Sequence, residues 1–252
     1  MDEKLEGMQK RFLELGERAC RSGVYTFTPF LGLQEQNIFY GLARQLSHVP
    51  WEAFGGAEGC ERKVVRFGSE EMCGFEQPFP IACVAVRPRS AKFAETLTHR
   101  DFLGALMNLG VERDTLGDIA VREEGAYVFC TEHIAPFVVE NLMQVRKTPV
   151  RAELAQALPE GALYRLQPKT VQVASNRADA LCAHIWNISR GDSLALFRAG
   201  RVFINGRLCE NASAALREGD ILSARGYGRF VFRGVVGLTK KGRSNALVEL
   251  YV

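Results

Sequence analysis

The chain has 252 residues, 47% hydrophobic and 24% charged, which is ordinary for water-soluble globular material and long enough for two or three small domains. No run approaches the roughly 18 apolar residues of a membrane span, and the opening Met1-Asp2-Glu3-Lys4-Leu5-Glu6 is acidic, not leader-like, so a cytoplasmic protein without a membrane partner is expected. The formal charge of +3 is unevenly spread: residues 169–252 hold 13 Lys and Arg against 6 Asp and Glu, or +7, and residues 1–168 hold 19 against 23, or −4.

Leu5, Met8, Phe12, Leu15 and Ala19 recur at helical spacing and predict an amphipathic helix from Asp2 to about Arg21. Thr28-Pro29 reads as the start of a second helix, Thr28 capping and Pro29 in the first turn, with the helix body over Gln34–Leu46. After the break at Gly55-Gly56-Ala57-Glu58-Gly59, Glu61-Arg62-Lys63-Val64-Val65-Arg66-Phe67 predicts a strand. These features define a helical N-terminal unit, residues 1–75.

From Phe79 the pattern changes. Residues 80–86 form a buried-strand run, and Thr98–Leu109 predicts a helix with Phe102, Leu103, Leu106 and Leu109 along its apolar stripe. Ile119–Val121 and Ala126–Cys130 read as two strands, and Thr131–Val145 as a helix capped by Thr131 and Glu132. A last strand near Leu163–Leu166 would complete strand, helix, strand, strand, helix, strand, the ferredoxin-like order shared by RRM domains, over residues 76–168.

In the remainder, 169–252, Arg177 to about Asn187 predicts a helix burying Leu181, Cys182 and Ile185. Ser189 caps a second helix that runs to Ala199 and buries Leu194 and Phe197. Asn205-Gly206 between Val202-Phe203-Ile204 and Arg207-Leu208-Cys209 is a strong hairpin signal. Strands follow at Ile221–Ala224, Arg229–Arg233 and Ala246–Val252, with Arg225–Phe232 read as a Gly-rich loop. The expected class is thus α+β, in three small domains.

Cysteines 20, 60, 73, 83, 130, 182 and 209 are odd in number and lack a Cys-x-x-Cys pair, and His48, His99, His133 and His184 are dispersed, so neither disulfides nor a metal site is expected. His99-Arg100-Asp101 imitates a kinase catalytic loop, but Leu106 stands where that loop needs Asn, and Asp101 is explained by the helix start. Arg225-Gly226-Tyr227-Gly228-Arg229-Phe230-Val231-Phe232 nearly spells an RRM strand signature, yet the inserted Arg229 shifts its aromatics to the opposite faces. No catalytic constellation or cofactor is expected.

Arg177-Ala178-Asp179, Ser189-Arg190, Gly200-Arg201-Val202, Asn205-Gly206 and Gly219-Asp220-Ile221 fall in the order and spacing of an S4 RNA-binding domain, which they resemble. Structured RNA is held through phosphates and shape, which suits arginine forks and the amides at a helix start. The RNA-binding candidates are Arg177, Ser189, Arg190, Arg198, Arg201, Arg207, Arg225, Tyr227, Arg229, Lys240, Lys241 and Arg243. Asp179, Asn205, Gly206, Gly219 and Asp220 read as scaffolding: acids repel RNA, and the others answer turn chemistry. A merely solvated basic face is the competing reading of the same charge.

Gly55-Gly56 with Glu61-Arg62-Lys63, Arg100-Asp101-Phe102-Leu103-Gly104-Ala105-Leu106, Gly117-Asp118-Ile119 and the S4 motif with Arg225–Phe230 together resemble the bacterial YlmH family over nearly the whole chain. Ala178 stands where S4 openings usually carry Leu, and Cys60 where the family usually has Ala. The resemblance implies an N-terminal domain, an RRM-like middle and a C-terminal S4 domain. It further implies binding to ribosomal RNA and tRNA on the large ribosomal subunit during rescue of stalled nascent chains, with a cell-division link by gene neighbourhood; the chain is expected to be a monomer. An S4-targeted RNA-modifying enzyme and a cell-division-linked adaptor are the alternatives. The enzyme is disfavoured because no glycine-rich cofactor loop follows a strand.

Overall fold

The computed structural model describes residues 2–42, 44–90, 95–156, 164–239 and 242–251. It is a mixed α+β chain that divides into two compact units, Met1–Leu163 and Tyr164–Val252.

In the first unit, α1 (Asp2–Ser22) turns Phe12, Leu15 and Ala19 inward against Phe39 and Leu42 of α2 (Leu33–Leu42). Phe39 is the hub of this core. Its ring meets Phe12 at 5.6 Å, Trp51 at 4.9 Å and Phe67 at 5.8 Å, all edge-on, the arrangement favoured by aromatic quadrupoles.

Thr28-Pro29 does not start a helix. Thr28 continues the short strand β1 (Thr26–Phe27), its amide donating to the Val65 carbonyl, and its hydroxyl accepts from the Val65 amide and donates to the Pro29 carbonyl. The helix begins five residues later, where the Glu35 carboxylate takes the Gly32 amide, and it stops at Leu42, with residues 44–48 in turns. Residue 43 of the expected helix lies outside the described residues. The segment is also not purely helical: β1, β2 (Trp51–Phe54) and β3 (Val64–Phe67) form an antiparallel sheet in the order β1-β3-β2. A one-turn helix, α3 (Glu70–Cys73), follows, capped by Ser69.

The rest of this unit is built from β4 (Ile81–Pro88), α4 (His99–Asn108), β5 (Leu116–Arg122), β6 (Gly125–Thr131), α5 (Ala135–Asn141), β7 (Gln144–Val145) and β8 (Thr148–Leu154). Its antiparallel sheet runs β5-β6-β4-β8-β7. One face packs on Phe102 and Leu106 of α4 and Ala135 and Val138 of α5. Asp101 closes a capping box, accepting the Thr98 amide and hydroxyl at 2.8 and 2.7 Å. Thr131 is not a helix cap. It ends β6 opposite Ile81, and α5 starts at Ala135 with a proline in its first turn. The closing strand is β8, not 163–166. Leu163 lies outside the described residues, and Leu166 belongs to the second unit.

Within the first unit the two halves are joined by a polar clamp. The Asp118 carboxylate accepts the amides of Glu61 and Arg62 at 2.8 Å each. The Arg62 guanidinium donates to the carbonyls of Leu116, Phe30 and Arg113. Burial pushes the Arg62 guanidinium below its ordinary value, with Glu35 and Asp118 acting in the opposite sense.

The second unit opens with β9 (Leu166–Val173), paired along its length with β14 (Ser244–Tyr251). Between them come α6 (Ala178–Ile185), α7 (Arg190–Arg198), β10 (Val202–Ile204), β11 (Arg207–Leu208), β12 (Ile221–Ala224) and β13 (Gly228–Leu238), and the sheet order is β11-β10-β12-β13-β14-β9. Both helices lie on one face, where Leu181, Cys182, Ile185, Leu196 and Phe197 meet Leu222, Phe230, Phe232 and Val248. Leu196, not Leu194, is the buried leucine of α7; Leu194 is half-buried. The Gly-rich loop shrinks to Arg225-Gly226-Tyr227, because Gly228 already pairs with Ala224 and Phe230 and Phe232 enter the core.

Candidate nucleic-acid interface

The start of α6 organises the basic surface. Asp179 lies at the second helical position with its side chain 3% exposed, and its carboxylate takes the Ala180 amide at 2.9 Å. Arg177, the N-cap residue, grips the same carboxylate with Nε and Nη2 at 3.0 Å each, a bidentate pair. Arg190, the first residue of α7, reaches Asp179 Oδ2 at 3.2 Å. Ser193 Oγ donates to the Asp179 carbonyl and binds the two helices at the same point.

One buried acid therefore aims two arginines that stay 40% and 62% exposed. Burial alone raises the Asp179 carboxyl, but the hydrogen bonds and charges of Arg177 and Arg190 outweigh it and hold it below the usual carboxylate range. The Asp179–Arg190 contact spans eleven residues and two helices, and nothing in local spacing announces it.

Arg190 shares a depression of about 230 Å³ with Arg243, His184 and Gln172. Along α7, Arg198 lies eight residues and about 12 Å of helix rise beyond Arg190. Arg201 follows, its carbonyl accepting the Arg225 amide and its Nη2 donating to the Arg225 carbonyl. Arg177, Arg190 and Arg243 thus gather at the start of α7, and Arg198, Arg201 and Arg225 stand at or just past its end, the two ends of a basic band.

Other predicted residues fall elsewhere. Ser189 is occupied as a cap: its oxygen accepts the Asp192 amide at 3.0 Å and its hydroxyl donates to the Asp192 carboxylate at 2.7 Å, so an acid already covers this helix start. Arg229 points to the sheet face opposite Phe230 and stacks on Tyr251 and Tyr164, 3.9 and 4.6 Å from their ring centres. Arg207 is exposed on the edge strand β11. Lys240 and Lys241 lie outside the described residues.

Asn205, with φ 51°, and Gly206, with φ 78°, make the left-handed hairpin turn. The Asn205 amide group donates to Asp220 and its oxygen accepts the Ile221 amide, while Asp220 also takes the Arg217 amide. Gly219 turns at φ 88° just before. Sequence reasoning missed Trp186, the C-cap of α6, whose ring lies 5.6 Å from Tyr227 and 5.7 Å from Phe230. It also missed Lys169, whose Nζ donates to the Ile185 carbonyl at the end of α6.

In the first unit, Tyr127 and Phe129 alternate onto the sheet face away from α4 and α5, but neither is open. A Cβ on Gly56, whose φ is +101°, would come within 2.3 Å of the Phe129 ring, so the turn after β2 lies directly on it. Arg87 on the same face is tied to Glu153 at 2.8 Å and to the Tyr127 hydroxyl at 3.3 Å. Beside them lies a depression of about 660 Å³ lined by Phe54, Phe79, Ile81 and Leu154 together with Glu52, Glu76 and Arg66, the last held between Tyr25 and Phe79.

Residues 76–157 match the family model described as "Putative RNA-binding domain in YlmH". The chain is 33% identical over 225 residues to "Ribosome-associated protein quality control protein P2" of Bacillus subtilis (strain 168), covering 88% of this chain and 86% of that protein. Among solved structures, "Cell division protein ylmH from Streptococcus pneumoniae" is 25% identical, with a TM-score of 0.48 over 60% of this chain and 90% of that one.

Proposed function

Since the chain belongs to the YlmH family, we propose that it is a non-catalytic RNA-binding protein acting on the large ribosomal subunit. In this reading it docks on ribosomal RNA and tRNA through residues 164–252, taken as an S4 domain, during rescue or quality control of stalled translation. The carrying observation is the lock in which Asp179 aims Arg177 and Arg190 outward at the head of the α7 band. Phosphate binding needs cations already fixed in place, because each neutralised phosphate releases counterions and each ordered side chain otherwise costs entropy.

Two short helices against a sheet with a hairpin at Asn205-Gly206 and a turn at Gly219-Asp220 leading into β12 support the S4 reading. The order strand, helix, strand, strand, helix, strand, with β5-β6-β4-β8 across the sheet, supports a ferredoxin-like, RRM-like middle. The name of the Bacillus relative supports the ribosome as partner.

The test is binding of the monomeric chain to purified large subunits across a potassium chloride series. Affinity should fall steeply with salt, and Arg190→Ala with Arg198→Ala should weaken it and reduce the slope of log K on log salt by roughly 1–2. Salt-insensitive association, or a double variant with wild-type affinity and slope, would refute the proposal.

A further inference from the structure

Tyr227 is the tip of the three-residue turn between β12 and β13 and remains 41% exposed, although large aromatic rings are usually covered. Its surroundings hold it in that position. The Arg201 guanidinium lies over the ring, 5.8 Å from its centre, and is anchored to the Arg225 carbonyl. Trp186 supports another side at 5.6 Å with a 43° tilt, and is itself backed by fully buried Phe230. Gly226, with φ +88°, lets the turn approach Arg201 so closely that a Cβ there would lie 2.7 Å from Nη2.

The result is a half-open aromatic ring braced on two sides, with Arg225 on its own turn and Arg201 over it, past the C-terminal end of α7. We propose that Tyr227, braced by Arg201 and Trp186, is a stacking seat for one unpaired base of the RNA that the band holds by its phosphates. This inference rests on the RNA-binding reading above. An A-form duplex buries its base faces between neighbours, whereas a loop or bulge base offers a free π-face to an aromatic side chain. A ring already immobilised loses little entropy when a base lands on it.

Two probes of equal phosphate count separate the possibilities: an RNA hairpin with a seven-nucleotide unpaired loop, and a blunt RNA duplex. Tyr227→Leu should lose about tenfold in affinity for the hairpin, the order of one base–aromatic stack, and little for the duplex, with the salt slope unchanged because no charge is removed. Tyr227→Phe should retain hairpin binding. In a Trp51→Phe chain, where Trp186 is the one remaining tryptophan, the hairpin should alter its fluorescence and the duplex should not. The unfolding temperature of each variant is measured alongside.

Equal losses on both probes, or a Tyr227→Leu protein that holds the hairpin like wild type, overturns the stacking seat while leaving phosphate binding intact. Wild-type protein that binds neither probe overturns the RNA reading and the seat together.

Discussion

Replacing Asp179 by Asn tests the lock, because two physical accounts predict opposite signs. The carboxylate accepts four hydrogen bonds from an almost fully buried position. Asparagine keeps the shape but turns Oδ2 into an amide nitrogen, which faces the Nη2 donors of Arg177 and Arg190. Two charge-assisted bonds worth roughly 1.5–3 kcal/mol each are lost, and water repays part because both arginines are well exposed. A net destabilisation of about 2 kcal/mol follows, or roughly 8–16 °C in Tm for a unit of this size. If the surface worked by charge alone, going from +7 to +8 over residues 169–252 would tighten RNA binding. If the lock matters, binding weakens, because two long side chains must then be ordered by the RNA at about 0.5–1.5 kcal/mol each, giving an affinity loss on the order of tenfold. Titration against large ribosomal subunits at several salt concentrations, well below the variant's Tm, reads the sign. Tighter or unchanged binding by Asp179→Asn would refute the lock as the organiser of the surface.

Asp179 should also govern acid sensitivity. Its folded carboxyl is held below the ordinary value near 3.9, so its stabilisation is present above that value and lost as pH falls through and beneath it. The Tm of the wild type should therefore drop more steeply than that of Asp179→Asn between about pH 4 and 2, and parallel curves would count against the assignment. Arg62→Ala strips three carbonyls of a half-buried donor and should destabilise the first unit by about 2–3 kcal/mol while leaving salt-dependent RNA binding unchanged; urea unfolding and subunit binding on the same preparation check both halves. Gly56→Ala places a methyl group against the Phe129 ring at a positive φ and should cost at least about 2 kcal/mol, whereas an unchanged urea midpoint would show that this turn does not lie tightly on the sheet.

What could be read from sequence was what is decided within a few residues. Asn205-Gly206 must turn because both residues accept positive φ, Ser189 caps a helix with the Asp192 amide, and Thr98 with Asp101 forms a box across one turn. The same local logic misled at Thr28-Pro29 and Thr131, where a threonine suited to capping instead extends a strand whose partner lies 37 or 50 residues away. Thr148–Leu154 alternates buried and exposed as a strand should, but Pro149 at its second position argues locally against one. The spacing of Glu61-Arg62 and Gly117-Asp118 could be read as a resemblance but not as a bond, since the carboxylate and the amides it accepts are 56 and 57 residues apart. The basic band has the same character: composition located it, while only the helix pair shows that a buried acid aims it.

That distinction bears on where the phosphate contacts lie. The family description attaches RNA binding to residues 76–157, yet this segment carries 9 Lys and Arg against 11 Asp and Glu. Its sheet face is also engaged: Phe129 lies under Gly56, Tyr127 is buried, and Arg87 is neutralised by Glu153. A surface without excess cations releases few counterions, and aromatics already covered cannot stack on bases. Residues 164–252 differ on both counts, since their buried acid organises cations instead of cancelling them at the surface, and Tyr227 stays open. On the proposed RNA-binding reading, then, the steep salt dependence is expected from the second unit, and contacts by residues 76–157 are expected to run through shape or edges, with little sensitivity to salt.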